Sequence, residues 1–376
     1  MNDATGTATQ VLFVAPGMID TVTGPAPVPA ASDVVVAVDR VGICGTDLHL
    51  LDGEIGDPFP LVPGHEFVGT VISIGTEAAR PGLRVGDRVV VEMLLACGRC
   101  ARCREGRRNL CERDDPAVSP AAGRQMGVNI PRTLSPFTGG YGTHLVVPPE
   151  GVIHVLPPTL QNDVAVLTEP LAVAVRAVER GRVGLGDDVV IIGPGPIGLL
   201  VAAVASAAGA RHVIVVGGRP ERRVLARSFG ATDTLAERGA ELHSRIRHLL
   251  PGGPDVVIEC AGNPTAQQDA IRLVRRGGRV VLAGACGGGA ALTIAPDEDL
   301  LTREIDILPS FLAAGGYERA ITLLDQARFP FASLITHIFP LDEASTALAA
   351  VRGRTEGLIK AVLLIPSPSP TLTGGH

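Results

Sequence analysis

Residues 189–210 read VVIIGPGPIGLLVAAVASAAGA, 22 positions without a charge. That is enough apolar chain to cross a bilayer as a helix. Two prolines and three glycines in its first half argue instead for a buried strand, a tight turn and a buried helix. Gly193, Gly195 and Gly198 stand in G-x-G-x-x-G spacing, and Pro196 and Ile197 fall where the helix opens. Glycines in that pattern permit the turn, let a pyrophosphate approach backbone N–H groups, and allow close helix–strand packing. The triplet alone is weak, and its context strengthens it. DVVIIG, HVIVVGG, PDVVIECAG and GGRVVLAGA recur at intervals of roughly 25–45 residues with helical stretches between them. Buried β-branched runs alternating with helices predict an α/β unit with a doubly wound parallel sheet.

The end of the second strand, HVIVVGGRPERR, bears on the choice of dinucleotide. Gly217 stands where an acidic residue would bind a ribose 2′-hydroxyl, and Arg219, Arg222 and Arg223 follow. With no carboxylate to repel a 2′-phosphate and guanidinium groups to bind one, NADP is favoured over NAD. An ordinary solvated helix start explains the same arginines and keeps NAD open.

The rest of the chain surrounds this unit. In 376 residues, 46% are hydrophobic and 19% charged, so the chain is globular and long enough for two domains. The first third carries short Val-rich runs such as DVVVAVDRVGI and EFVGTVISIG, broken by Gly, Pro and Asp, which predict strands. Residues 112–140 read as a long loop, and DVAVLTEPLAVAVRAVERG (163–181) as a helix ending at Gly181. The tail PSPSPTLTGGH is expected to be disordered. A net charge of −6 argues against nucleic acid or an acidic membrane as partner. The start MNDATGTATQ has neither a basic region nor an apolar run, so no signal peptide is expected. Seven clustered cysteines without an export signal predict reduced thiols in the cytoplasm.

Four of those cysteines, Cys97, Cys100, Cys103 and Cys111, form CGRCARCREGRRNLC with C-x2-C-x2-C-x7-C spacing. Four thiolates close a tetrahedral zinc shell of the structural kind, with an iron–sulfur cluster as the rival. Arginines 99, 102, 104, 107 and 108 surround them and read as a solvated basic lobe. A second set is dispersed over GICGTDLH (42–49), PGHEFVG (63–69) and LTEPLAVAV (167–175). Cys44, His65, Glu66 and Glu169 together offer soft, borderline and hard donors suited to zinc with an exchangeable position.

These stretches, with GDRVVVE, GGYGTHLVVP, GPGPIG and LITHIFPLDEASTAL, resemble the zinc-dependent medium-chain dehydrogenase/reductase superfamily of alcohol, sorbitol and threonine dehydrogenases. The likeness runs from about residue 10 to 365. It implies a GroES-like catalytic domain over 1–169, a Rossmann domain over 170–309 and a return to the catalytic domain over 310–376. It also implies that Cys44 and His65 bind a catalytic zinc, with Glu66 a second-sphere or alternating ligand. Glu169, where liver-type alcohol dehydrogenases have Cys, would bind directly or through water, and Asp47 would orient His65. Zinc would lower the pKa of a bound alcohol, Thr46 and His49 would carry its proton outward, and hydride would pass to the nicotinamide. Two zinc ions per chain and a homodimer or homotetramer are the family's habit. The expected substrate is a secondary alcohol of the polyol, cyclitol or amino-alcohol type, or the matching ketone. Two alternatives stand beside this: a redox-neutral enzyme that oxidises transiently for epimerisation or elimination, and a zinc-stapled binding protein without catalysis.

Finer expectations attach to single residues. Lys360 resembles a basic residue that approaches the cofactor pyrophosphate, or is a surface lysine. His144 stands where an acidic residue is common and reads as a pocket, interface or exposed residue. Met93, Leu94, Leu50 and Leu51 read as apolar wall or core, and residues 117–138 as a long insertion that shapes the substrate cleft.

Overall fold

A computed structural model describes residues 6–115, 117 and 123–367. Most of the expected disordered tail and part of the 117–138 insertion therefore lie outside the described residues. The chain divides into two compact units, Met1–Glu169 with Ile335–His376, and Pro170–Leu334.

In the second unit, strands Asp188–Ile192, His212–Val216, Asp233–Leu235, Val256–Glu259, Arg279–Leu282 and Asp306–Pro309 form one sheet. Every pairing is parallel, and counted along the chain the strand order is 3-2-1-4-5-6. This is the doubly wound order whose switch point, between the first and fourth strands, receives a dinucleotide. Val189, Val190 and Ile191 are completely buried, as a strand covered by helices on both faces requires. The uncharged run after them forms helix Pro196–Ala207, with Pro196 at its first turn and Gly195 as N-cap. Among the described residues no helix is long and apolar enough to cross a membrane.

The chain returns to the first unit at Ile335, whereas the family resemblance implies a return at 310. Residues 310–334 stay with the parallel sheet for a packing reason. Phe329 and Phe331, beyond helix Tyr317–Asp325, form an aromatic trio with Phe229, with ring centroids 5.8–6.5 Å apart.

The first unit holds a seven-stranded sheet centred on Val34–Gly42. That strand pairs antiparallel with Glu66–Ile74 on one side, and with His144–Val147 and Lys360–Leu364 on the other. Its register sets Gly42 opposite Glu66 and opposite Val362. Beneath lies an apolar core that includes Phe13, Val38, Val41, Leu50, Leu61 and Tyr141. Leu50, Leu51, Met93 and Leu94 are all buried, and Leu50 and Leu51 belong to this core. His144 is also buried, with Nδ1 2.9 Å from Thr143 Oγ1, and burial lowers its pKa. It is therefore not an exposed histidine.

Candidate active site

The strand Val34–Gly42 runs into helix Gly45–Leu51, with Cys44 at the N-cap. Asp47, three residues on, reaches back so that its Oδ2 accepts the Cys44 backbone N–H at 2.8 Å. This half of a capping box fixes the turn and satisfies a donor that a helix start leaves open. Asp47, Leu50 and Leu51 face inward, while Thr46 and His49, three apart on the helix, share a half-exposed face. The Cys44 thiol lies 3.5 Å from Thr46 Oγ1, and His49 Nδ1 lies 2.5 Å from Glu54 Oε2.

The segment 63–66 brings the second half. Ligand atoms of Cys44, His65 and Glu66 all fall within 4.8 Å of one another. His65 Nδ1 lies 3.6 Å from Asp47 Oδ1. Glu169, in the first turn of helix Thr168–Arg180, stands outside that 4.8 Å set. It is nevertheless close enough to interact electrostatically with His65, Glu66 and Cys44.

The charge balance of this pocket is lopsided. Burial, reinforced by Glu66, pushes the Cys44 thiol up to about 11. Burial also pushes Glu169 up to about 8, with His65 opposing the shift and the Glu66 and Cys44 charges adding to it. Asp47 is raised by burial as well, against the pull of His65. Four acids packed around one lysine and one histidine are the environment that a bound cation relieves. Thiol, imidazole and carboxyl donors in this arrangement fit zinc.

Lys360 is where the structure departs most from expectation. It is buried, its Nζ donates to Ile43 O at 2.9 Å and it forms an ion pair with Glu66. Burial alone would lower its pKa, but the Glu66 and Cys44 charges outweigh this and raise it. It is therefore not a surface lysine. Sheet register explains the pairing, since Lys360 and Glu66 lie on the two strands that flank Val34–Gly42. They meet across Gly42, where a Cβ would lie 2.1 Å from Glu66 Oε2 and 3.0 Å from Lys360 Cε.

The cysteine quartet folds around the short helix Ala101–Arg104, with all four Sγ atoms within 4.8 Å of one another. The Cys97 and Cys103 sulfurs are 4.0 Å apart, close to the roughly 3.8 Å that a tetrahedral zinc with ordinary Zn–S bonds demands. The Cys111 Sγ accepts the Cys97 N–H at 3.3 Å and the Cys97 Sγ accepts the Cys100 N–H at 3.4 Å. Burial opposes ionisation of Cys97, yet hydrogen bonds from the Arg99 and Cys100 backbone bring it down to about 6. The thiols of this set are unbridged, and the donor geometry fits a closed zinc shell.

In the second unit the glycine loop takes the form that a dinucleotide needs. Gly193 has φ +105°, and a Cβ on Gly198 would lie 1.9 Å from Gly193 O. A Cβ on Gly195, by contrast, would meet nothing within 4 Å, so the helix N-terminus is open to an approaching phosphate. A Cβ on Gly217 would lie 2.2 Å from Pro194 Cδ, so the proline of the loop bars an acidic side chain there. Arg219 is the N-cap of helix Pro220–Ser228, Arg222 lies half-buried in its first turn, and Arg223 donates to Gly217 O at 2.8 Å. Sequence reasoning missed Arg238. It is exposed just before helix Gly239–Leu249, with Nη2 3.0 Å from where a Gly218 Cβ would stand. No local motif marks it, because the loop after the third strand brings it there.

Comparisons with known proteins agree with this architecture. Residues 30–158 match the alcohol dehydrogenase GroES-like domain and residues 196–326 the zinc-binding dehydrogenase domain. A sorbitol dehydrogenase of Bombyx mori is 34% identical over 86% of this chain and 89% of its own length. A probable alcohol dehydrogenase of Mycobacterium tuberculosis is 35% identical over 87% of this chain and 89% of its own. A putative zinc-binding dehydrogenase from Sinorhizobium meliloti, solved with NADP, superposes with a TM-score of 0.83 at 31% identity, covering 95% of this chain and 99% of that one. The chain belongs to the zinc-dependent medium-chain dehydrogenase superfamily, enzymes that use zinc and a nicotinamide cofactor.

Proposed function

We propose that the chain oxidises a secondary alcohol of the polyol, cyclitol or amino-alcohol class to the ketone, using NADP, and catalyses the reverse reduction. The observation that carries this is the convergence of Cys44, His65 and Glu66 within 4.8 Å, beside Thr46 and His49 on one helix face. Cys44, His65 and Glu66 would hold a catalytic zinc, with Glu169 close by. Cys97, Cys100, Cys103 and Cys111 would hold a structural one. Bound zinc supplies Lewis acidity that makes an alcohol proton easier to remove, and the nicotinamide accepts the hydride. Thr46 Oγ1 would take the substrate proton and His49 would pass it toward solvent, its ring anchored through Nδ1 by Glu54. Asp47 Oδ1, 3.6 Å from His65 Nδ1, would orient the imidazole, as ligating histidines require. Likeness to a sorbitol dehydrogenase supports the polyol class. The test is a panel of polyols, cyclitols and amino alcohols, with NAD and NADP in parallel, followed through net reduced nicotinamide. A panel that yields none contradicts the proposal.

The preference for NADP rests on Gly217, barred from carrying an acid by Pro194, and on Arg219 and Arg238 nearby. Likeness to a relative solved with NADP supports it. A hydrogen bond to a charged group contributes about 1.5–3 kcal/mol. Arg219→Gln and Arg238→Gln are therefore each expected to weaken NADP binding by roughly 10- to 100-fold, with NAD binding little changed. Fluorescence titration with both cofactors checks this. A wild-type protein that binds NAD more tightly overturns it.

A further inference from the structure

Tyr141 is fully buried and lies close to two segments of the candidate metal centre. Its backbone N–H donates to Pro63 O at 2.9 Å, two residues before His65. Its hydroxyl donates to Asp47 Oδ2 at 3.1 Å, on the helix that follows Cys44. Oδ2 also accepts the Cys44 backbone N–H at 2.8 Å, so two donors hold one oxygen of the carboxylate. The other oxygen, Oδ1, is thereby turned toward His65 Nδ1, 3.6 Å away.

Packing alone does not explain a tyrosine here. The ring meets Phe13 edge-on at 6.4 Å and fills the space beside Gly64, where a Cβ would lie 2.3 Å from Tyr141 Cδ1. A phenylalanine would make both contacts without burying a hydroxyl, which is costly to bury without a partner. The partner of this hydroxyl is Asp47, whose other oxygen lies 3.6 Å from His65 Nδ1.

We infer that Tyr141 is a positioning residue for the metal centre: its hydroxyl fixes the Asp47 carboxylate, which fixes the His65 ring with Nε2 toward Cys44 and Glu66. The inference rests on the assignment of Cys44, His65 and Glu66 as metal ligands. Outer partners of ligating histidines are worth about 10- to 100-fold in metal affinity. Being one step further out, the Tyr141 hydroxyl is expected to contribute about 10-fold.

The test is Tyr141→Phe in the full-length protein, with Asp47→Asn and Cys44→Ser alongside. The readouts are the rate at which a chelator removes zinc and the absorption of the cobalt-substituted site, with the cysteine quartet as internal reference. Loss of metal from the Cys44 site about 10-fold faster, a changed cobalt spectrum and an unchanged quartet are expected. Asp47→Asn moves both readouts the same way and further. An unchanged rate and spectrum for Tyr141→Phe, with Asp47→Asn and Cys44→Ser still impaired, overturns the role of Tyr141 alone. Retention of both zinc ions by Cys44→Ser overturns the ligand assignment as well. A Tyr141→Phe chain that loses its fold also contradicts the inference, because the substitution leaves the ring packing intact.

Discussion

Cys44→Ser is expected to lower kcat/KM by roughly 1,000-fold or more and to reduce bound zinc by about one ion per chain. The thiolate is the soft anionic donor of the set. A serine hydroxyl stays neutral and binds zinc poorly, which leaves one imidazole and a carboxylate already paired with Lys360. Lewis-acid stabilisation is worth several kcal/mol, and each 1.36 kcal/mol is a factor of ten in rate. Metal analysis beside steady-state kinetics reads both effects at once. The quartet should keep its ion, so complete loss of zinc would point to unfolding instead. Full activity with two zinc ions retained would remove Cys44 from the centre.

Lys360→Met is expected to destabilise the metal-free protein strongly. Breaking a buried ion pair by removing one partner costs about 3–5 kcal/mol, because the remaining charge has neither water nor a counter-ion. In the metal-free protein the remaining charge is Glu66, buried with Lys360 across Gly42. The double variant Glu66→Gln with Lys360→Met should recover most of the loss, since no unpaired charge remains. Urea denaturation of wild type, both single variants and the double variant closes the cycle. A Lys360→Met protein within about 0.5 kcal/mol of wild type, the usual range for surface changes, would return Lys360 to the surface role suggested by its residue type.

What the sequence revealed and what it concealed have physical causes. The parallel sheet was legible because a strand covered on both faces must be apolar throughout, and VVII, VIVV and VVI are. The glycine loop and the cysteine quartet were legible because their chemistry depends on local spacing. Cys44, His65 and Glu66 were legible only as fragments, since the fold joins them. The burial of Lys360 was not legible because lysine is rarely buried and its partners are distant in the chain: Ile43, which it also contacts, is 317 residues away. Only the register of three neighbouring strands shows that Lys360 and Glu66 meet above a residue without a side chain. Tyr141 was visible inside GGYGTH, but nothing local indicates that its hydroxyl reaches Asp47, 94 residues earlier. The boundary at Ile335 differs from the 310 that the resemblance implies, and no local pattern marks it, because an aromatic trio closing on Phe229 joins Phe329 and Phe331 to the second unit.

The central claim is that the Cys44 centre prepares an alcohol for net hydride transfer to a nicotinamide. Its most direct test uses a substrate from the panel deuterated at the carbinol carbon, with wild type and Cys44→Ser compared by mass spectrometry of the cofactor. The account predicts that deuterium accumulates in the reduced nicotinamide in step with ketone, and that Cys44→Ser transfers essentially none. Deuterium returning to product carbon without net reduced nicotinamide, or transfer undiminished in Cys44→Ser, would contradict it.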